Sequence, residues 1–339
     1  MYGTIVTDSV ARAAEVLRAG GTVAFPTETV YGLGADAFNS GAVRKVFHAK
    51  GRPADNPVIV HVADISAARR IASDFPPIAE RLLERFAPGP ITVVVPRNEK
   101  LPLEVTAGLD TVAIRIPSHA TALELLEAFG GAIAAPSANV SGRPSPTSWE
   151  AALADLDGRI DCVLTGIPSE LGLESTVVDC RGQTPRILRP GAVSAEEIAK
   201  VAKVDIESIA QERSDAAVSD ARRASRSPGL RHRHYAPEAR VHIVGAATGT
   251  ADSPQVSGHP KQKRAFIGLA SPAETARYEL LLRCADVDEY AQRLYAFFRH
   301  CEEHDIDVIE CEEVPETGIG RALMDRLRRA SAPETDEFG

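Results

Sequence analysis

Residues 175–191 read STVVDCRGQTPRILRPG. Two short apolar runs, Thr176–Asp179 and Arg186–Leu188, flank CRGQTP, a turn-rich stretch that favours an antiparallel hairpin over a helical crossover. Upstream, short apolar runs alternate with segments of helical period. The runs Thr22–Phe25, Val58–Val62, Ile91–Val95, Val112–Ile116, Ala132–Ala135 and Cys162–Leu164 predict strands. Ser9–Ala19, Ala42–Ala49, Pro77–Phe86, Ala120–Phe129 and Ala195–Ala202 predict helices. The alternation implies an α/β domain, and the hairpin makes its sheet mixed.

Downstream, Gln211 to Ser227 (QERSDAAVSDARRASRS) loses apolar periodicity and fills with Ala, Ser, Asp and Arg, the composition of a solvated connection. Beyond it, strands are expected at Val241–Val244, Ala265–Leu269 and Val308–Ile309, with helices at Val287–Glu302 and Gly320–Ala330. A smaller second α/β domain follows. The expected division is 1–204, a connecting segment 205–237, and 238–339.

With 339 residues and 44% hydrophobic composition, each domain can bury a core. The net charge of −9 rules out a global positive field for sequence-independent nucleic-acid binding. Residues 238–339 carry 19 acidic against 12 basic side chains, so the acidity is concentrated in the second domain. No apolar run approaches the ~20 residues of a membrane span and no signal-like segment opens the chain, so a cytoplasmic protein without membrane contact is expected. The five cysteines form no CxxC pattern, which favours buried thiols over disulfides or zinc.

A local basic patch does occur. Between Arg44 and Arg70 the bases Arg44, Lys45, Lys50, Arg52, Arg69 and Arg70 face only Asp55 and Asp64. Charges on helices are usually solvated faces. Lys50 and Arg52 differ, because KGRPADNP (50–57) is a loop broken by Gly and Pro. A glycine lets phosphate oxygens approach the backbone, while Arg supplies a planar fork and Lys a point charge. Phosphate binding and a plain surface turn are both open for it.

Three further segments could carry chemistry. PTETVYGLG (26–34) leaves a strand with two threonines, a carboxylate and a tyrosine; strand ends in α/β sheets are where ligands dock, and a turn-and-cap role is equally open for it. APSANVSGRPSP (135–146) empties a strand into small residues, hydroxyls and an amide; Ser137 lacks a nucleophile elbow and an Asp/His pair, so hydrogen bonding is its expected role. Arg115 breaks the apolar run TVAIRI and needs an anion, either a structural carboxylate or a ligand. A lone histidine such as His61 within PVIVHV is more often a satisfied core residue than a ligand contact. No Walker loop is present, and Gly32-Leu33-Gly34 and Gly318-Ile319-Gly320 are incomplete dinucleotide fingerprints.

Taken together, PTETVYGLG, KGRPxxNP, PSANxSGxPSPT and ESTVVD…ILRPG resemble the blocks of the YrdC-like family of L-threonylcarbamoyladenylate synthases over about residues 1–200. SPGLRHRHYAP (227–237) resembles the linker of the long form of that family. The resemblance implies a YrdC-like mixed twisted sheet followed by a smaller Rossmann-like α/β domain. It implies a nucleotidyltransferase that forms threonylcarbamoyl-AMP and pyrophosphate from L-threonine, bicarbonate or CO2 and ATP, with Mg2+, for modification of tRNA.

By the same resemblance, Lys50, Arg52, Ser137 and Asn139 surround the reacting phosphate. Arg52, Asn56, Thr111, Ser137, Ser145, Arg189 and Tyr235 hold ATP, and Thr29, His61, Arg115, Ala135 and Ser175 receive L-threonine. The metal ligands are not identifiable, a downstream threonylcarbamoyl transferase complex is a possible partner, and Arg231–Ala236 is expected to cover the groove. The rival reading is an RNA-binding module that uses the basic groove on tRNA or double-stranded RNA; a hydrolase using Ser137 ranks lower.

Overall fold

The computed structural model describes residues 3–210, 235–245 and 262–332. The chain divides into two compact units, Met1–Ser141 with Ser145–His232, and Gly142–Pro144 with Arg233–Gly339. Among the described residues no helix is long and apolar enough to cross a membrane.

In the first unit ten strands form one sheet, in chain order β1 (Ile5–Thr7), β2 (Val23–Phe25), β3 (Gly32–Asp36), β4 (Ile59–His61), β5 (Ile91–Pro96), β6 (Thr111–Arg115), β7 (Ile133–Ala135), β8 (Cys162–Leu164), β9 (Thr176–Asp179) and β10 (Arg186–Arg189). Their order across the sheet is β1-β8-β2-β3-β7-β4-β6-β5-β9-β10. The sheet is mixed: β4 and β6 run parallel, while β2–β3, β4–β7, β5–β6 and β9–β10 are antiparallel. The last of these pairs is the hairpin expected from residues 175–191.

Helices α1 (Val10–Arg18), α2 (Ser40–Lys50), α4 (Pro77–Phe86), α6 (Ala120–Phe129) and α8 (Ala195–Ala202) match expected segments. The short α3 (Ile65–Ile71), α5 (Leu103–Thr106), α7 (Trp149–Leu156) and α9 (Ile206–Ala210) were not marked by the sequence pattern. Ile209 of α9 is buried in the main core, so packed chain continues beyond residue 204.

Strand β3 is the main departure from expectation, since GLGAD reads as a turn. Its glycines are there for packing: a Cβ on Gly34 would collide with the Ile133 side chain and lie 2.9 Å from the Phe25 ring. Close approach of β3 to its neighbours, rather than β propensity, makes this a strand.

Alternation along the strands separates two faces. Val58, Val60 and Val62, Val93 and Val95, and Val112 and Ile114 enter the large core together with Ile78, Leu82 and Leu83 of α4. On the opposite face, Val23, Phe25, Ile133 and Ala135 pack with α1 and α6, while β4, β5, β6 and β9 carry a small apolar group, Ile59, Val94, Ala113 and Val177, with Leu188 against it.

The second unit holds a parallel four-stranded sheet, β11 (Arg240–Val244), β12 (Arg264–Gly268), β13 (Leu280–Arg283) and β14 (Val308–Glu312), ordered β11-β14-β12-β13. Helices α10 (Val287–Glu303) and α11 (Gly320–Ser331) accompany it. This is the expected Rossmann-like arrangement; β13 is an added strand, and half-exposed Leu280 and Leu282 explain why its run did not stand out as a buried one.

Candidate active site

The sheet face with the small apolar group gathers much of the predicted site. On β6, Thr111, Ala113 and Arg115 point to this face, and register sets Ile59 beside Ala113, and His61 beside Arg115. Thr92 of β5 pairs with Arg115, and Val94 pairs with Ala113. His61, Arg115 and Thr92 therefore form one row, with Ile59, Ala113 and Val94 as an apolar row beside it. Thr111 lies four residues from Arg115, about 13 Å along the strand.

The first row is densely polar and closed to solvent. Glu28, Thr29, His61, Thr92, Arg115 and Ser175 are all buried. Arg115 Nη1 donates to Thr29 Oγ1 at 2.8 Å, and Arg115 Nη2 lies 2.8 Å from Glu28 Oε1. The second approach is off the donor axis: both Glu28 carboxylate oxygens, Arg115 Nε and Nη2, and His61 Nδ1 have no hydrogen-bond partner. Buried orphaned polar atoms are uncommon, and five in one place call for an explanation.

The threonine hydroxyls of PTETVYGLG are locally fixed. Thr27 Oγ1 donates to Val30 O at 2.6 Å and lies 2.9 Å from Thr29 Oγ1. Thr92 and Ser175 share a hydrogen bond of 2.7 Å, and Arg189 Nη2 reaches Ser175 O at 3.0 Å and Ser175 Oγ at 3.3 Å. A Cβ on Gly191 would strike the backbone nitrogen of Thr176, which is why glycine follows the ILRP strand end.

Burial, followed by the nearby Arg115 charge, lowers the His61 pKa to about 3. His61 is thus a neutral imidazole at physiological pH, edge-on to Phe25 at 5.8 Å.

The second polar group centres on α2 and the chain after β7. Helix α2 ends with Gly51 in the left-handed conformation (φ 61°), while Arg52 N–H returns to Phe47 O. Lys50 is buried, and its Nζ donates to Ser137 O at 2.6 Å, to Asn139 O, and to Asn139 Oδ1 at 3.4 Å. Half-buried Arg52 binds Asn56 O at 3.0 Å, Asn56 Oδ1 at 2.6 Å and Pro57 O at 2.7 Å. Ser137 Oγ donates to Asn139 Oδ1 at 2.5 Å, and buried Ser145 Oγ donates to Glu174 Oε1 at 2.6 Å.

The predicted residues thus form two groups. Thr29, His61, Arg115 and Ser175 gather in the first, with Arg189 joined to Ser175. Lys50, Ser137 and Asn139 form one part of the second, and Arg52 and Asn56 form another. Ala135 is buried on β7 opposite Ile59, beside the apolar row. Thr111 stands buried at the far end of β6.

Tyr235 belongs to the second unit, where it stacks on Tyr295 at 5.7 Å with the Arg326 guanidinium 5.2 Å from its ring. The cover expected at Arg231–Ala236 lies outside the described residues as far as His234. Glu28 and Thr92 were missed by the sequence reading. Glu28 was visible as the only carboxylate in its motif; Thr92, within a valine-rich strand, gave no signal.

The rest of the basic stretch behaves as solvated helix surface. Arg44 pairs with Glu104 at 2.6 Å, Arg69 pairs with Glu80, and Lys45 caps Gly20 O at 2.8 Å. A cavity of about 820 Å³ lined by Phe38, Val62, Arg69, Lys100 and Gly131, among others, contains none of the predicted site residues. All five cysteines are buried and free.

Comparison with known proteins decides the family. Residues 15–191 match the Sua5/YciO/YrdC family, described as telomere recombination, and residues 193–332 match the family described as threonylcarbamoyl-AMP synthase, C-terminal domain. A threonylcarbamoyl-AMP synthase of Pyrococcus abyssi is 42% identical, over 94% of this chain and 93% of its own length. The chain belongs to the threonylcarbamoyl-AMP synthase family. The Bacillus subtilis member is likewise 42% identical, over 95% of this chain and 92% of its own. The crystal structure of P. abyssi Sua5 complexed with L-threonine superposes with a TM-score of 0.81 at 39% identity, covering 97% of this chain and 96% of that one. The family's two-domain architecture is therefore present throughout.

Proposed function

We propose that the chain is a threonylcarbamoyl-AMP synthase that joins L-threonine, bicarbonate or CO2, and ATP into threonylcarbamoyl-AMP and pyrophosphate for tRNA modification. L-threonine occupies the row of Thr29, His61, Arg115 and Ser175, with Ala135 forming a wall. ATP lies toward Arg52, Asn56, Thr111, Ser137, Ser145 and Arg189. The observation that carries this reading is the first polar group, a buried row of Thr29, His61, Arg115 and Ser175 with Glu28 that holds five orphaned polar atoms.

The chemistry needs alignment more than a base at the second step. The threonine amine becomes a carbamate, whose oxygen then attacks the α-phosphorus as pyrophosphate leaves. The carbamate is already an anion, so no proton is removed in that attack. Lys50, Arg52, Ser137 and Asn139 supply cationic and hydrogen-bonding groups where phosphate charge is crowded; bonds among Lys50, Ser137 and Asn139, and those of Arg52 to Asn56 and Pro57, preorganise them. Neutral His61 can hydrogen-bond the substrate without adding charge. The buried Thr29 and Ser175 hydroxyls give the pocket a means to discriminate the threonine hydroxyl.

Mg2+ fits as a companion of ATP. Around the Ser137–Asn139 turn the side-chain oxygens include those of Ser137 and Asn139 and the buried Asp155 carboxylate, which accepts from Val140 N–H, while Glu28 faces Arg115 and Glu174 accepts from Ser145. Among the described residues the one cluster of three or more His, Cys, Asp or Glu able to hold a metal is His300, Glu303 and His304, exposed on the second unit. Mg2+ bound through ATP supplies neutralisation of the phosphate charge. A chain ending before Ser227 should yield less adenylate. The protein works in the cytoplasm and passes its labile product to a transferase.

The test is incubation with ATP, L-threonine, bicarbonate and Mg2+, with detection of the adenylate by mass. Product should appear only in the complete mixture. Its absence there, with the protein folded, defeats the proposal.

A further inference from the structure

Lys50 is buried at 1% exposure, yet it belongs to the group assigned to the reacting phosphate. An ammonium carries three hydrogens, and Nζ meets three acceptors: Ser137 O, Asn139 O and Asn139 Oδ1. Its backbone holds the same stretch, since Ser141 N–H donates to Lys50 O at 2.9 Å. One residue at the end of α2 thus fastens the Ser137–Ser141 turn at three of its five positions. The turn is also tied from its other side, where Ala138 N–H donates to Tyr31 O at 2.8 Å and Leu33 N–H donates to Pro136 O at 2.8 Å.

We infer that Lys50 is a positioning residue, whose ammonium braces the Ser137–Asn139 turn against α2 and does not touch the phosphates of ATP. This rests on the ATP reading above and refines it. To reach a phosphate oxygen, Nζ would have to release charge-assisted bonds to the carbonyls of half-buried Ser137 and buried Asn139, at the cost of those bonds. Gly51 makes the division of labour possible: its left-handed backbone ends the helix between Lys50, which turns inward, and Arg52, which remains half-exposed. Direct phosphate contact then falls to Arg52, Ser137 and Asn139.

Two measurements test this. In a crystal structure of the unaltered protein with L-threonine and a non-hydrolysable ATP analogue, Nζ should stay on Ser137 O and Asn139 O. It should lie beyond hydrogen-bond reach, about 3.5 Å, of every phosphate oxygen. A phosphate oxygen within that reach overturns the inference. An analogue that fails to bind, judged by calorimetry, overturns the ATP reading and this inference with it. The second measurement is a double-mutant cycle on pyrophosphate release, with melting curves to confirm folding. Lys50→Met should cost about 100-fold alone, but less than about threefold in an Asn139→Ala background, because both act through one turn. Additive losses overturn the inference.

Discussion

The two polar groups of the first unit hold their cations differently. Arg115 meets a buried carboxylate, Glu28, and a hydroxyl, Thr29. Lys50 and Arg52 instead donate to carbonyl and amide oxygens of Ser137, Asn139, Asn56 and Pro57. A carboxylate cancels charge as it orients a cation, whereas a carbonyl orients it and leaves the charge in place. The first arrangement suits a zwitterionic amino acid, which brings no net charge. The second suits a triphosphate, which brings a large negative one.

The largest expected effect separates the two groups by stability. Glu28→Gln should cost about 3–5 kcal/mol of unfolding free energy, because it strands a buried guanidinium. Arg52→Gln, at a half-buried site with neutral partners, should cost about 1 kcal/mol while abolishing most pyrophosphate release. Urea titration of both variants checks the ordering; equal destabilisation would erase the distinction drawn here.

A second expectation concerns pH. The folded chain holds His61 neutral down to about pH 3, while the unfolded chain protonates it near 6.5. Between those values the unfolded state takes up the extra proton. Stability from this group is therefore complete above pH 6.5 and falls on acidification, by up to about 1.4 kcal/mol per pH unit. His61→Gln should flatten the urea midpoint over that window, and an unchanged slope would refute the assignment to His61.

The smallest effect isolates backbone geometry within the second group. Gly51 has open space around a hypothetical Cβ, so Gly51→Ala tests its φ of 61° alone. A loss of about 1 kcal/mol is expected, read as a lowered melting temperature.

Sequence pattern gave access to most of this because the strands alternate cleanly. Val112 and Ile114 announce the covered face of β6, leaving Thr111 and Arg115 on the other. The hairpin at 176–189 was legible from its turn. Strand β3 was not, because its glycines answer to the Phe25 ring and Ile133, which are distant in sequence. The site residues were legible as motifs, but the internal commitment of Lys50 was not. A lysine in a Gly/Pro loop looks solvent-facing until the helix cap turns it inward. The Glu28–Arg115 pair was similarly hidden by a separation of 87 positions, although the need of Arg115 for an anion was evident.

The most direct test of the two-ended site is a crossed comparison of KM values for L-threonine and ATP in Thr29→Val and Ser145→Ala. Each removes one buried hydroxyl, worth about 1–3 kcal/mol or roughly 5- to 100-fold. Thr29→Val should raise KM for L-threonine and leave KM for ATP within about twofold, and Ser145→Ala should do the reverse. If either substitution shifts both constants by the same factor, the separation of amino acid and nucleotide between these two groups is wrong.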